Sequence, residues 1–506
     1  MQGVTTFVGG TCGDSPAPQN PERYARHFWE YDVWPQIDGH MYYPEFVQPR
    51  EKALPVLEKH YPIRFDWRTF GEYLDKIERQ GTAVNFIPLL GHSTIRSYAM
   101  GRVNDDRRPT EEQMKAMKHQ LEEAMEAGAW GISTGLDYVP SAYATTEELV
   151  EIVRAMERWD GIYSTHWRRT GIRRAGAEKK DKSFGLREAC EIGHATGMRV
   201  QISHLSTVYD IFPSATESLK RVGAEATLAI VDEAERRGVR VAFDVITNTT
   251  AGFECIPYLC MYLAPWVRQA GSVDRFIQNL GYGDYRTELK KLLASGWWYK
   301  VNRNADPFWE HAVVVTKSKN PRYDGRSIQE IAGGRDVLDT LFDLLIEDPL
   351  IKVHKHSRIE TYIDAFMSHP LAMPSIDGYI FDANGHFGTL GPISNWAGIP
   401  EILPNPNAYC GFVKCITDFA PRRLEEKIRK MTGWPAEWTG IKKRGLLREG
   451  YYADIVVLDM ENLRTNENHE RPNTFPSGIE AVVVNGSWSR AVHTSTRRSG
   501  QAASCA

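Results

Sequence analysis

The 506-residue chain is too long for one ordinary core, which predicts a large domain of 250 residues or more and a smaller one. A hydrophobic content of 42%, a charged content of 25% and a net charge of -4 fit a folded protein and leave no basic excess for a nucleic-acid groove or a membrane patch. A small molecule is therefore the expected partner, with neither nucleic acid nor membrane, and the oligomeric state stays open.

No apolar stretch reaches the roughly 18 residues needed to span a bilayer, and the first thirty residues lack a charged start followed by an apolar core, so the cytoplasm is the expected location. The 7 cysteines, at positions 12, 190, 255, 260, 410, 415 and 505, are odd in number and scattered. Reduced thiols fit that pattern better than a disulfide framework.

In chain order, short β-rich runs alternate with helical stretches: TTFVGG, AVNFIPLLGH, GAWGISTG, GIYSTH, RVQISH, RVAFDV, AVVVTK and PLAMPSID. Such alternation predicts βα units. Between the second and third runs, Thr110 followed three residues later by Gln113 reads as a capping box opening a helix. Its Met114, Met117, Leu121 and Met125 recur on one face and read as core. The next helix starts at Thr145-Thr146-Glu147-Glu148 and turns Leu149, Ile152, Val153 and Met156 inward by the same rule. Residues 255–320 break the rhythm with aromatic and polar side chains, among them Tyr258, Tyr262, Trp266, Trp297, Trp298 and Trp309. This stretch reads as a lid insertion over a barrel mouth or as a surface subdomain. Beyond residue 440, short strands and turns over 441–490 suit a small β-sandwich, and 491–506 reads as a frayed tail.

Four metal-seeking residues close apolar runs: Cys12 after TTFVGG, His166 in GIYSTH, His204 in RVQISH and Asp377 in PLAMPSID. A barrel of parallel strands gathers all its strand ends at one mouth, so these positions predict one zinc site. Thiolate and imidazole suit Zn²⁺, and three protein ligands leave a fourth position for water.

The order and spacing of QGVTTFVGGTCG at 2–13, GHSTIR at 91–96, GAWGISTGLDYVPSAYATTEELVEI at 128–152, YSTHWR at 163–168, QISHLS at 201–206 and KMTGWPAEWTGIKKRGLLREGYYADIVVLD at 430–459 resemble the D-aminoacylase (N-acyl-D-amino-acid deacylase) family of the amidohydrolase superfamily. The resemblance implies an α/β fold, a TIM-like (β/α)₈ metal-dependent hydrolase barrel over 1–440 with a small β-sandwich remnant. It implies Zn²⁺ held by Cys12, His166 and His204, with Asp377 in the place of the catalytic aspartate. The implied reaction is hydrolysis of a C–N amide bond in an N-acyl (D-)amino acid or related small amide. Zinc-activated hydroxide attacks, and Asp377 serves as general base and then acid.

By the same resemblance Arg168 occupies the family's arginine position and either orients substrate or pairs with a carboxylate. Ser206 stands where the family has a lysine, and His386 lies in GHFGTLG where the family has His-Pro-Arg; both are expected to face substrate. His92, which ends a strand, is expected to hydrogen-bond near the site rather than ligate metal. The family's earlier strand, ending in a His-x-His pair, precedes QGVTT, so the chain reads as N-terminally incomplete and its barrel as lacking the first strand. A cyclic-amide hydrolase, a deaminase of the same superfamily and a catalytically degenerate binding protein remain alternatives.

Overall fold

A computed structural model describes residues 2–19, 64, 66–101, 106–137, 140–169, 182–209, 211, 215–250, 258–295, 298, 301–303, 306–378, 405–419 and 423–491. Its first strand, β1 (Thr6–Gly9), runs parallel to β2 (Asn85–Pro88), with Thr6 opposite Asn85 and Gly9 opposite Pro88. One residue separates β2 from β3 (Leu90–Gly91), which opens a second sheet. Across the break, Leu89 N–H donates to Gly9 O at 2.9 Å and Trp130 N–H to Pro88 O at 2.8 Å.

The second sheet continues through β4 (Gly131–Gly135), β5 (Ile162–His166), β6 (Arg199–Ile202), β7 (Val241–Ile246) and β10 (Ala372–Ser375), all parallel and in that spatial order. Parallel neighbours require crossovers, here the helices Thr146–Arg154, Lys182–Thr196 and Glu217–Arg236. Every residue of β4 and β5 is buried, as expected for strands covered on both faces. Among the described residues β1 and β10 do not pair with each other, so the described strands alone do not close into a barrel.

The helix Glu111–Ala127 has the Thr110–Gln113 capping box and buries Met114, Met117, Leu121 and Met125. In the helix Thr146–Arg154, Thr145 caps Glu148 N–H, and Leu149, Ile152 and Val153 are buried.

Two expectations are corrected. AVVVTK is no βα repeat: β8 (Val313–Lys317) lies antiparallel to β9 (Lys352–Lys355), away from the parallel array. A Val-rich strand suits either kind of ladder, and here its partner comes from a separate apolar unit. That unit runs from Tyr258 to Val353 around Trp266, Phe276, Trp298, Trp309 and Phe342, beyond the 255–320 stretch set apart in the sequence. The C-terminal region, expected as the remnant of a small β-sandwich, contributes among the described residues one antiparallel sheet of β11 (Ile455–Leu458), β12 (Ile479–Val484) and β13 (Ser487–Ala491). Its Ile479, Val482 and Val484 pack on Val413 and Leu463, so a helix, Asn407–Thr417, takes the place of a second sheet layer. Among the described residues no helix is long and apolar enough to cross a membrane.

Candidate metal centre

The parallel strands deliver three donors to one point. Beyond β1, the chain turns through Gly10, Cys12 and Gly13 at φ 80°, 55° and 87°. Both glycines are required by space as well as by φ: a Cβ on Gly10 would lie 2.1 Å from Leu89 O, and one on Gly13 2.5 Å from Gly135 N. The turn presents Cys12 Sγ 3.8 Å from Nδ1 of His166, the last residue of β5. It lies 3.6 Å from Nε2 of His204, two residues past β6. The three donor atoms lie within 4.8 Å of one another, and among the described residues no other group of three meets that limit. The two imidazoles meet edge to face at 4.5 Å.

Loss of solvent, followed by the Asp377 carboxylate, pushes the Cys12 thiol well above its usual value. Burial, followed by the Arg169 guanidinium, pushes His166 and His204 well below theirs. Both rings are therefore neutral at pH 7, the form that binds metal. Among the described residues Nδ1 of His204 is buried without a hydrogen-bond partner. Two neutral imidazoles, a thiol between them and an orphaned ring nitrogen form a donor set that fits a borderline-soft dication such as Zn²⁺.

Three residues not singled out in the sequence surround these donors. Asp137, just past β4, has a carboxylate oxygen 3.1 Å from His166 Nε2, a nitrogen that Arg169 Nη2 approaches at 2.5 Å, and it accepts from the Arg169 backbone N–H at 3.1 Å. Arg169 Nε also donates to Asp137 at 3.3 Å. Asp244, on β7, accepts from the His204 backbone N–H at 2.7 Å, Gln201 Nε2 at 2.9 Å and Ser375 Oγ at 2.5 Å, joining the ends of β6, β7 and β10. Burial raises the Asp244 pKa, those three donors oppose it, and Asp377 adds to the rise. Asp137 obeys the same strand-end rule that picks out His166, so a search of all strand ends for carboxylates would have found it. Asp244 lies inside an apolar run, and only the folded register gives it these partners.

Asp377 lies two residues past β10 at φ 43°, half-buried, with its charge felt at both Cys12 and Asp244. Arg168 is turned to structural work: Nε donates to Glu188 at 2.9 Å, and its two terminal nitrogens donate to the carbonyls of Ala142 and Ala144, each at 2.9 Å. Of the two roles open to Arg168, this geometry favours the carboxylate pair; Arg169 is the arginine that reaches the centre. Ser206 is half-buried two residues beyond His204. His386 lies outside the described residues. His92 is fully buried, with Nδ1 2.8 Å from Ser141 Oγ and Nε2 3.5 Å from Glu148.

The amidohydrolase family model matches residues 407–488. The D-aminoacylase of Alcaligenes xylosoxydans xylosoxydans is 28% identical over 488 residues, 96% of this chain and 78% of that protein. Over nearly its whole length the chain is thus similar to the D-aminoacylase and N-acyl-D-amino-acid deacylases. Two solved structures share the fold of this chain. A D-aminoacylase crystal structure superposes with a TM-score of 0.60 at 24% identity over 96% of this chain and 80% of its own. The N-acyl-D-glutamate deacylase of Bordetella bronchiseptica, complexed with zinc and a phosphonate mimic of the tetrahedral intermediate, gives 0.58 at 23% over 96% and 79%.

Proposed function

We propose that this chain is a metal-dependent amidohydrolase of non-peptide C–N bonds that removes the acyl group from N-acyl-D-amino acids. The convergence of Cys12, His166 and His204 within 4.8 Å carries the reading, and the deacylase relatives support the substrate class. These three residues would hold Zn²⁺. When bound, such a dication polarises an amide carbonyl and lowers the pKa of water toward about 7.

The chain's own groups account for the rest. Asp137 and Arg169 meet Nε2 of His166 and orient the ring with Nδ1 toward Cys12. Arg169 braces the same carboxylate. Asp244 holds the His204 backbone and Ser375, and thereby orients the strand end that carries Asp377. Asp377 would take the proton of the attacking water and return it to the departing amine, so the amine leaves neutral.

The test is hydrolysis of paired N-acetyl-D- and N-acetyl-L-amino acids by zinc-loaded protein, with the free amino acid measured. Release from the D series, abolished in Asp377→Asn while zinc content is unchanged, is the expected result. No release from either series, or an active Asp377→Asn, would overturn the reading.

A further inference from the structure

Arg169 meets the Cys12 centre with one edge of its guanidinium and leaves the other open. Nε donates to Asp137 at 3.3 Å, while Nη2 lies 2.5 Å from Nε2 and 3.4 Å from Nδ1 of His166. Nη1 has no hydrogen-bond partner among the described residues. Asp137 also accepts from the Arg169 backbone N–H, so the residue is anchored at its root as well as at Nε. The Arg169 side chain is 21% exposed, against 1% for those of Asp137 and His166, which places the guanidinium between the buried donors and solvent.

Neutral His166 has a single ring proton to place. With Nδ1 deprotonated toward a metal, that proton sits on Nε2 and faces Asp137, and Nη2 of Arg169 loses its acceptor there. Both terminal nitrogens are then open, in the planar fork that a guanidinium offers to a carboxylate.

An anionic substrate needs such a partner at this centre. The Asp377 charge is felt at Cys12 and Asp244, so an arriving carboxylate meets charge of its own sign. Arg168 is taken up by Glu188 and two carbonyls, and the residue two past His204 is the neutral Ser206. The Arg169 charge is felt at all three donors, after the larger effect of burial, and Arg358, beyond β9, adds its own at His204.

Resting on the deacylase reading, we propose that Arg169 grips a carboxylate of the substrate and that this grip selects which amides the site accepts. The fork suits an α-carboxylate or an acidic side chain equally, and the choice of ligand separates the two.

Binding to zinc-loaded Asp377→Asn protein, followed by calorimetry, is the test. N-acetyl-D-leucine carries only an α-carboxylate, N-acetyl-D-leucinamide carries none, and the α-amide of N-acetyl-D-glutamate carries only that of its side chain. The leucine acid should bind about 10- to 100-fold more tightly than its amide, the range expected for hydrogen bonds to a charged group. Adding Arg169→Met should erase that ratio and leave the affinity of the amide and the zinc content unchanged. An Arg169-dependent advantage confined to the glutamate derivative would assign the grip to the side-chain carboxylate. If Arg169 served only to brace Asp137, its loss would weaken acid and amide alike. Equal weakening, a ratio that survives Arg169→Met, or no preference for either carboxylate in the parent protein would therefore overturn the assignment. Should Arg169→Met lose its zinc, Arg169→Lys, which keeps a cation beside Asp137 without the fork, is held to the same comparison and should show a reduced ratio. Failure of the deacylase reading would show separately, as absent hydrolysis by the native chain, because the ligand ratio requires no turnover.

Discussion

His166 is gripped from both ends, with Nδ1 toward the Cys12 sulfur and Nε2 toward Asp137. These two contacts have different expected costs. Cys12→Ala or His204→Ala removes a donor outright, and purified protein should carry no zinc at that centre. Asp137→Asn keeps the donors and loosens one ring, so zinc should remain with affinity reduced about 10- to 100-fold, measured by competition with a chelator. Equal loss in all three variants would mean that Asp137 is itself a ligand. The candidate donors were legible because parallel strands make position along each run sufficient: the last residue of a run lies at the shared mouth. Arg169 was not legible, because Arg168 and Arg169 are adjacent and only the path of the chain past β5 decides which one turns toward His166.

Between elements, the Cys12 turn is wedged against the start of the helix His92–Met100. A Cβ on Gly91 would lie 2.5 Å from Gly13 O and 2.7 Å from Asp14 Cα, both backbone atoms that cannot swing aside. Gly91→Ala should therefore cost about 1–3 kcal/mol in denaturant unfolding and also weaken zinc binding, because the strain falls on the turn that presents Cys12. The same helix is bound to Thr146–Arg154 by Arg96 Nε, 2.9 Å from Glu148, with both side chains buried. Burial alone would raise the Glu148 pKa, but His92 and Arg96 reverse that and hold it below its usual value. An acid depressed in the folded state contributes stability above its unfolded pKa of about 4.3 and loses it as pH falls through the folded value. Glu148→Gln should flatten the acid limb of a stability–pH curve, and should also cost about 3–5 kcal/mol at neutral pH by stranding Arg96. An unchanged acid limb would remove Glu148 from the account. The helices themselves were legible because caps and apolar spacing are local, as at Thr110 and Thr145.

For the molecule as a whole, what the sequence left unread is what depends on distant partners. A Val-Val-Val run carries no record of whether its neighbour is parallel, and 441–490 carries none of the helix Asn407–Thr417 on which its sheet rests. The resulting apolar clusters are distinct: one under the parallel strands, one within Tyr258–Val353 and a small one beneath β12. Calorimetry should accordingly resolve more than one unfolding transition. A single transition whose van't Hoff and calorimetric enthalpies agree would show the clusters to be coupled.

Cys12, His204 and Asp377 share left-handed backbones, at φ 55°, 38° and 43°. Such conformations cost about 1–3 kcal/mol each in residues with side chains. Laboratory evolution that rewards heat survival alone should then drift toward glycine or asparagine at these three positions, and each hardier descendant would have traded away part of its chemistry.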